Sequence, residues 1–439
     1  MTRWRTSPST GPAARRQGPP PAVDVYLLPA IVGGGLGDVD EVLCAGRHLA
    51  AAGFRLTLYR RAGRPLPSGV EGPWDWPPHH RRTSLGPRAP CALTVSPAWG
   101  ITAAPPREGP LGRPGPWAEE AAEIERAYGS ERTAHVSLEE FARTLTPLEE
   151  SVERLREGGV RSREIPARLA EARARGEVAA YRRAFRSFRA FDRPNVLEVF
   201  ATFRYDRPFA REFPEAVQTG PLWPGRARSP PAAGSRRGWV WYASPASAET
   251  IAPAVVAGLR SLDHPPALLV RAPRPWTAVR PGRRLTIRTG PLEAAAWERA
   301  FRRASLRIVT GSRSLLEALE VGGPFLYFNG ILGTGVARRR HRPEKIVELV
   351  GLAREARWPS DLLADLADFS RGRRAAQVVV RAARGEGSWK RFPTSPSPSG
   401  FAPGFEDAGE VLVRFARNFA ATAGPASELV ARFRRLSHR

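Results

Sequence analysis

The sequence predicts an α/β protein of two parallel-sheet domains that face each other across a central cleft. Three observations predict it. Short apolar segments alternate with helical ones over Val23–Arg60 and again over Trp239–Ala356, the rhythm of strand–helix–strand units that assemble into parallel sheets. Between them, Gln218–Gly238 (QTGPLWPGRARSPPAAGSRRG) is dense in Pro, Gly, Ser and Arg and lacks periodicity, which marks a boundary. Each half also carries a glycine- or serine-rich turn at the C-terminal end of a strand, where open parallel sheets bind ligands. The expected division is a tail over 1–22, a first domain over 23–220, a linker over 221–238, a second domain over 239–390, and terminal helices over 405–439 that return to the first domain.

In the first half, Val23–Leu28 (VDVYLL) reads as a buried strand. It leads through Gly33-Gly34-Gly35-Leu36-Gly37-Asp38 into a helix over Val39–Ala52, closed by Gly53, and then a strand at Phe54–Tyr59. A turn this rich in glycine lets the backbone approach a phosphate or a sugar, although packing of a tight turn explains it equally. It is not the dinucleotide fingerprint, because GxGxxG with a suitably placed acid is absent. Ala92–Ser96 (ALTVS) is another strand. Trp117–Tyr128 and Leu138–Leu145 read as helices, Glu149–Phe191 as a long arginine-dense helical region, and Asn195–Phe203 as a strand.

In the second half, strands are expected at Trp239–Ala243, Ala267–Arg271, Leu285–Arg288, Leu306–Val309 and Pro324–Phe328. Helices are expected at Ala248–Leu259, Pro291–Arg303 and Pro343–Ala356, with terminal helices at Val411–Phe419 and Ala426–Arg434. The stretch Leu306–Gly330 (LRIVTGSRSLLEALEVGGPFLYFNG) organises this half. Its turn opens a helix, whose unpaired N–H groups and positive dipole end suit a phosphate. Glu317 lies three residues beyond Ser314 on one helical face, where a carboxylate can accept bonds from ribose hydroxyls. The same Ser314-x-x-Glu317 spacing is also a capping box that needs no ligand.

Composition narrows the partners. Of 68 basic residues only Lys345 and Lys390 are lysine, so 66 are arginine, spread over nearly every segment, and the net charge is +25. A drift toward arginine without clustering is no nucleic-acid surface, which would group cations with stacking aromatics; the 12 tryptophans are scattered. A basic surface favours phosphates, sugar nucleotides or an anionic membrane face. Cys44 and Cys91 belong to no CxxC or Cys/His set, so neither zinc nor a disulfide framework is implied. No apolar run approaches the ~20 residues of a bilayer span, and 1–22 lacks a signal-peptide core. The expected location is cytoplasmic, peripheral to the membrane at most.

With both turns in view, the chain resembles nucleotide-sugar glycosyltransferases of the glycosyltransferase-B fold, whose two Rossmann-like domains bind substrate between them. The likeness is strongest over Ala304–Gly330, where a strand, a Gly-Ser turn, x-x-Glu-Ala, a glycine–proline turn and a strand follow in order. It looks most like the lipid-intermediate N-acetylglucosaminyltransferase of peptidoglycan synthesis and its relatives. That resemblance implies a donor-diphosphate turn at Gly311, Ser312 and Ser314, a ribose contact at Glu317, and a UDP-linked sugar as donor. The acceptor is implied to be a hydroxyl compound, lipid-linked in those relatives. The loop Gly34-Gly35-Leu36-Gly37-Asp38-Val39 is similar to that of starch and glycogen synthases, which carry Lys-Thr where this chain has Ile31-Val32-Gly33, and their C-terminal glutamate motif is missing. The peptidoglycan-type enzymes have a histidine where this chain has Asp38.

An inverting transfer needs a base for the acceptor hydroxyl and positive character at the leaving diphosphate. Asp38 or Asp40, at the mouth of the glycine turn, is the candidate base, although Asp38-x-x-Glu41 is also a helix-start signature. His135 is the second candidate. Arg313 and the helix N-terminus are the expected counter-charges, so no metal and no cofactor beyond the sugar nucleotide are called for. Ser244 and Ser247 are candidates for donor phosphate, and Asn329 for the sugar; an N-cap and a turn are their respective alternatives. The competing functions are a sugar-nucleotide epimerase or hydrolase on the same fold, a nucleic-acid-binding protein, and a scaffold that binds sugar nucleotide without turnover.

Overall fold

A computed structural model describes residues 23–29, 37–61, 85, 87–97, 117–141, 148–149, 151–152, 155, 159–203, 207–223, 238–243, 245–271, 285–290, 294–328, 344–393, 406–422 and 424–436. The described strands form a six-stranded and a five-stranded sheet, every pairing parallel. The two-domain class predicted from the sequence is the class observed.

The first sheet contains β1 (Asp24–Leu27), β2 (Leu56–Leu58), β3 (Ala92–Pro97), β4 (Thr133–Phe141), β5 (Val196–Thr202) and β6 (Val217–Thr219), in the order β2-β1-β3-β4-β5-β6. Strand order reverses between β1 and β3. Helix α1 (Gly37–Ala51) crosses from β1 to β2 and buries Val39, Val42, Leu43 and Leu49 against Val25, Leu27, Leu93 and Val95. The other face is covered by α2 (Ala118–Tyr128), which packs Ala121 and Ile124 on Tyr26, Ala92 and Val196.

Two sequence expectations fail in this domain. Leu138 does not begin a helix: Thr133–Phe141 is the strand β4, paired with β3 and β5 along its length. Thr133, His135, Ser137 and Glu139 alternate with Ala134, Val136 and Leu138, a period of two that the acidic end of the segment disguises. The long helical region is broken at Gly176, whose φ is 73°, into α3 (Ile165–Ala174) and α4 (Glu177–Phe188). After β5 comes the short α5 (Arg207–Glu212), whose Phe209 joins Phe185, Phe191, Phe200 and Phe213 in a separate aromatic cluster.

The second sheet contains β7 (Trp239–Tyr242), β8 (Leu268–Arg271), β9 (Ile287–Gly290), β10 (Leu306–Val309) and β11 (Phe325–Tyr327), in the order β11-β10-β7-β8-β9. Its order reverses between β7 and β10, and the Thr310 hydroxyl ties that point by donating to the Tyr242 carbonyl at 3.0 Å. Its helices are α6 (Pro245–Arg260), α7 (Ala294–Arg303), α8 (Ser312–Val321), α9 (Glu344–Glu355), α10 (Ser360–Ser370) and α11 (Ala375–Arg384). Gly258 in α6 is required by close approach, since a Cβ there would stand 2.6 Å from the Ala376 carbonyl oxygen of α11.

Arg307 lies inside the expected apolar strand β10 and is fully buried. Its guanidinium donates to the carbonyls of Phe301 at 2.8 Å, Arg302 at 3.2 Å and Gly322 at 2.9 Å. Those are carbonyls that helices α7 and α8 leave unpaired at their C-terminal ends, so the charge both satisfies them and meets two negative dipole ends.

The chain then returns to the first domain. α12 (Ala408–Ala421) and α13 (Ala426–Leu436) place Val411, Leu412, Phe415, Val430 and Phe433 in the core beneath the first sheet. The outgoing and returning passes run side by side: Gly220 bridges Asp407, and the Gly220 N–H donates to the Glu406 carbonyl at 2.9 Å.

Candidate functional site

Both switch points face the domain boundary, and the helices that leave them, α1 and α8, pack against each other there. Asp40, Cys44 and His48 recur at four-residue intervals along α1, which puts them on one helical face. Cys44 Sγ donates to the Trp223 carbonyl at 3.0 Å, and His48 Nε2 lies 2.8 Å from the same oxygen. From the opposite side, Arg313 of α8 donates through Nη1 to the Leu222 carbonyl at 2.7 Å and through Nη2 to Cys44 Sγ at 3.1 Å. Arg313 is therefore a buried tie between the second domain, the interdomain chain and the first domain. The sequence places it against diphosphate; the structure turns its guanidinium to the first domain instead.

Glu317 follows Arg313 by one helical turn and is half-buried. It lines a shallow recess with Trp297, Phe301, Glu320 and Val321 between α7 and α8. Asp40 stands close enough to feel it. Burial first, and then the Glu317 charge, raise the Asp40 pKa to about 6, while Arg271, Arg313 and Arg47 pull it down. Two carboxylates from different domains thus share one electrostatic environment at the boundary.

The turn before α8 is built around Gly311. Its φ of 84° is left-handed, and open space lies where a Cβ would stand, so conformation rather than crowding demands glycine. Gly311 is the N-cap of α8 and no side chain caps the helix. The capping-box alternative for Ser314 and Glu317 fails for that reason: Ser314 sits in the third helical position and not at the cap. Its buried hydroxyl donates to the Thr310 carbonyl, back along its own chain and not outward. Ser312 opens the helix, but its side chain lies outside the described residues.

Gly37 and Asp38 are the first two residues of α1, so Asp38 is inside the helix rather than capping it; its side chain lies outside the described residues. Gly34, Gly35, Leu36, Ser244 and Asn329 lie outside the described residues altogether, and of Ser247 only the helical backbone in α6 is described.

His135 is a correction. It is fully buried near the start of β4, away from the strand ends that face α8. Nδ1 lies 2.7 Å from Thr94 Oγ1, and Nε2 lies 3.4 Å from Glu125 Oε2. Burial lowers its pKa, with Glu125 opposing. Fully buried and held by Thr94 and Glu125, the second candidate base stands among the described residues as a core histidine.

Two groups of polar residues escaped the sequence reading. Arg271 ends β8 in register with Tyr242, at the same edge as the Gly311 turn, and its guanidinium carbon lies 5.9 Å from the Tyr242 ring and 5.8 Å from the Trp297 ring. A strand ending in arginine after three apolar residues was the available signal. In the first domain, Ser96, Ser137 and Glu198 stand side by side on β3, β4 and β5, all fully buried. Burial pushes Glu198 up to about 8, against the opposing pull of Arg189, Ser137 and Arg434, while Arg189 itself pairs with Glu139. Among the described residues no cluster of three or more His, Cys, Asp or Glu can hold a metal ion. No described helix is long and apolar enough to cross a membrane.

No family model and no curated protein matches the chain. Among solved structures it is similar to MurG of Acinetobacter baumannii, at 12% identity over 82% of this chain and 99% of that one, with a TM-score of 0.34. It is also similar to a variant of Os79 from O. sativa in complex with UDP, at 13% identity over 90% and 100%, with a TM-score of 0.44. A third is the glycosyltransferase SnogD from Streptomyces nogalater, at 14% identity over 89% and 99%, with a TM-score of 0.36. The two-domain architecture stands on the sheet orders and interdomain contacts of this chain itself.

Proposed function

We propose that this protein is a glycosyltransferase that moves a sugar from a nucleotide-sugar donor, UDP-linked in this reading, to an acceptor hydroxyl. One observation carries the proposal: the helices that leave the two switch points, α1 and α8, pack on each other at the domain boundary, and Asp40 of one domain feels the charge of Glu317 from the other. That is where open α/β sheets bind ligands, and two such sites face to face suit a donor and an acceptor.

In this mechanism the second domain holds the donor. The N–H groups at the start of α8, beside the open space at Gly311, receive the diphosphate, with Ser312, Ser244 and Ser247 as further contacts. Glu317 accepts hydrogen bonds from the ribose, and Asn329 meets the sugar. The first domain holds the acceptor below its glycine turn, where Asp38 or Asp40 removes the hydroxyl proton. Asp40 has suitable chemistry for a base, since a carboxylate with a pKa near 6 is ionised at neutral pH yet more basic than an ordinary aspartate. The deprotonated oxygen attacks the anomeric carbon opposite the leaving diphosphate, which inverts the configuration, and the helix dipole offsets the departing charge without a metal. A lipid-linked acceptor fits the basic surface, which would hold the enzyme at an anionic membrane face from the cytoplasmic side.

The test is calorimetric titration with UDP, GDP, ADP and CMP. Saturable binding of a nucleoside diphosphate, and transfer from the corresponding sugar nucleotide to a hydroxyl acceptor, is the expected result. Absence of binding by all four removes the proposal.

A further inference from the structure

The reaction proposed above leaves a nucleoside diphosphate, and the charge that develops on it needs a cation. Arg313, the cation nearest in sequence to the turn, is only 5% exposed and commits its guanidinium to Leu222 and Cys44. We propose that Arg271 is the cation that meets the donor diphosphate. This rests on the glycosyltransferase reading and assigns one residue within it.

Arg271 is the last residue of β8 and sits in register with Tyr242 of β7 and Gly290 of β9. It therefore belongs to the C-terminal edge of the second sheet, one strand from the switch point tied by Thr310 and Tyr242. Its backbone is fixed there by the Ala243 N–H, which donates to the Arg271 carbonyl at 3.0 Å. Its guanidinium is held by the rings of Tyr242 and Trp297. Trp297 also lines the recess that contains Glu317, so one ring joins Arg271 to the proposed ribose contact.

Ring contacts engage the face of a guanidinium and leave its N–H edges for an anion. Among the described residues, no carboxylate lies within ion-pair distance of Arg271, although Asp40 across the boundary is near enough to feel its charge. A half-buried arginine oriented by two aromatic rings, at a ligand-binding edge and pointing its field at the acceptor side, is pre-organised for a bidentate phosphate contact. Holding it in place before the donor arrives also reduces the reorganisation needed as charge develops.

The test uses the full-length chain, with R271Q and R271K beside E317A. Each is titrated with UDP, GDP and ADP and with the matching nucleosides, and folding is checked by thermal melting. R271Q is expected to weaken the bound diphosphate about 10- to 100-fold, the scale of a charged hydrogen bond, while nucleoside affinity stays unchanged. R271K keeps the charge but not the fork and is expected to fall between the two, which preserves the test if R271Q does not fold. Equal weakening of diphosphate and nucleoside by both variants would make Arg271 a prop for the rings and overturn the proposal. Unchanged diphosphate binding in R271Q alongside loss in E317A would overturn it while leaving the donor site intact. If the unaltered chain binds no nucleotide, this proposal and the glycosyltransferase reading fall together.

Discussion

Replacing Arg313 by methionine tests how the two domains are joined. The side chain keeps an apolar stem but stops two atoms short and loses both donors. In the native chain those donors satisfy the Leu222 carbonyl at 2.7 Å and Cys44 Sγ at 3.1 Å, at a site almost without solvent. A hydrogen bond to a charged group contributes about 1.5–3 kcal/mol net, and a buried carbonyl left unpaired costs about 1–3 kcal/mol. The thiol contact is weak and the carbonyl regains some water, so a total of about 3 kcal/mol is expected. Urea unfolding, extrapolated to water, measures it, with Cys44→Ala and the double variant closing a cycle that isolates the thiol contact. A loss below about 0.5 kcal/mol, the range of ordinary surface substitutions, would refute the tie and return Arg313 to the solvent side.

Two further predictions concern the first domain. His135→Ala should lower stability by about 1–3 kcal/mol, because Thr94 loses its partner inside the sheet, yet leave transfer per folded molecule unchanged; a large fall in kcat with intact folding would restore the histidine as a base. Glu198 titrates near 8 when folded and near 4.5 as an ordinary glutamate, so the folded state holds its proton more tightly. Its contribution is complete below the ordinary value and is lost as pH rises through about 8. Glu198→Gln should therefore flatten the fall in melting temperature between about pH 5 and pH 9 and leave the variant relatively more stable at the alkaline end; identical slopes would contradict the burial argument.

The architecture was legible because parallel α/β units announce themselves locally. Apolar strands such as Trp239–Tyr242, glycine at helix ends and a composition break at the linker are all short-range signals. The failures were long-range. β4 looked helical near its end because Glu139 and Glu140 in sequence are improbable for a buried strand, and the partner of the first, Arg189, lies fifty residues on. His135 looked available because nothing nearby in sequence reveals Thr94 and Glu125 as its neighbours. Arg313 looked like a phosphate ligand because its neighbours are turn residues, whereas its partners are Cys44 and Leu222. Arg271 was passed over because its place at the end of an apolar strand does not by itself show that Tyr242 and Trp297 stand beside it. Each miss is a polar side chain whose role is set by a partner far away in the chain.

If Glu317 reads the ribose of a nucleotide donor, a binding cycle on the 2′-hydroxyl shows it. Calorimetry would compare UDP with 2′-deoxy-UDP on the unaltered chain and on Glu317→Ala; if the first titrations select a different base, its ribo and deoxy diphosphates take their place. A loss of about 1–3 kcal/mol is expected for either change alone, and little further loss when both are made, because each removes the same hydrogen bond. Additive losses, or UDP binding indifferent to Glu317, would contradict it.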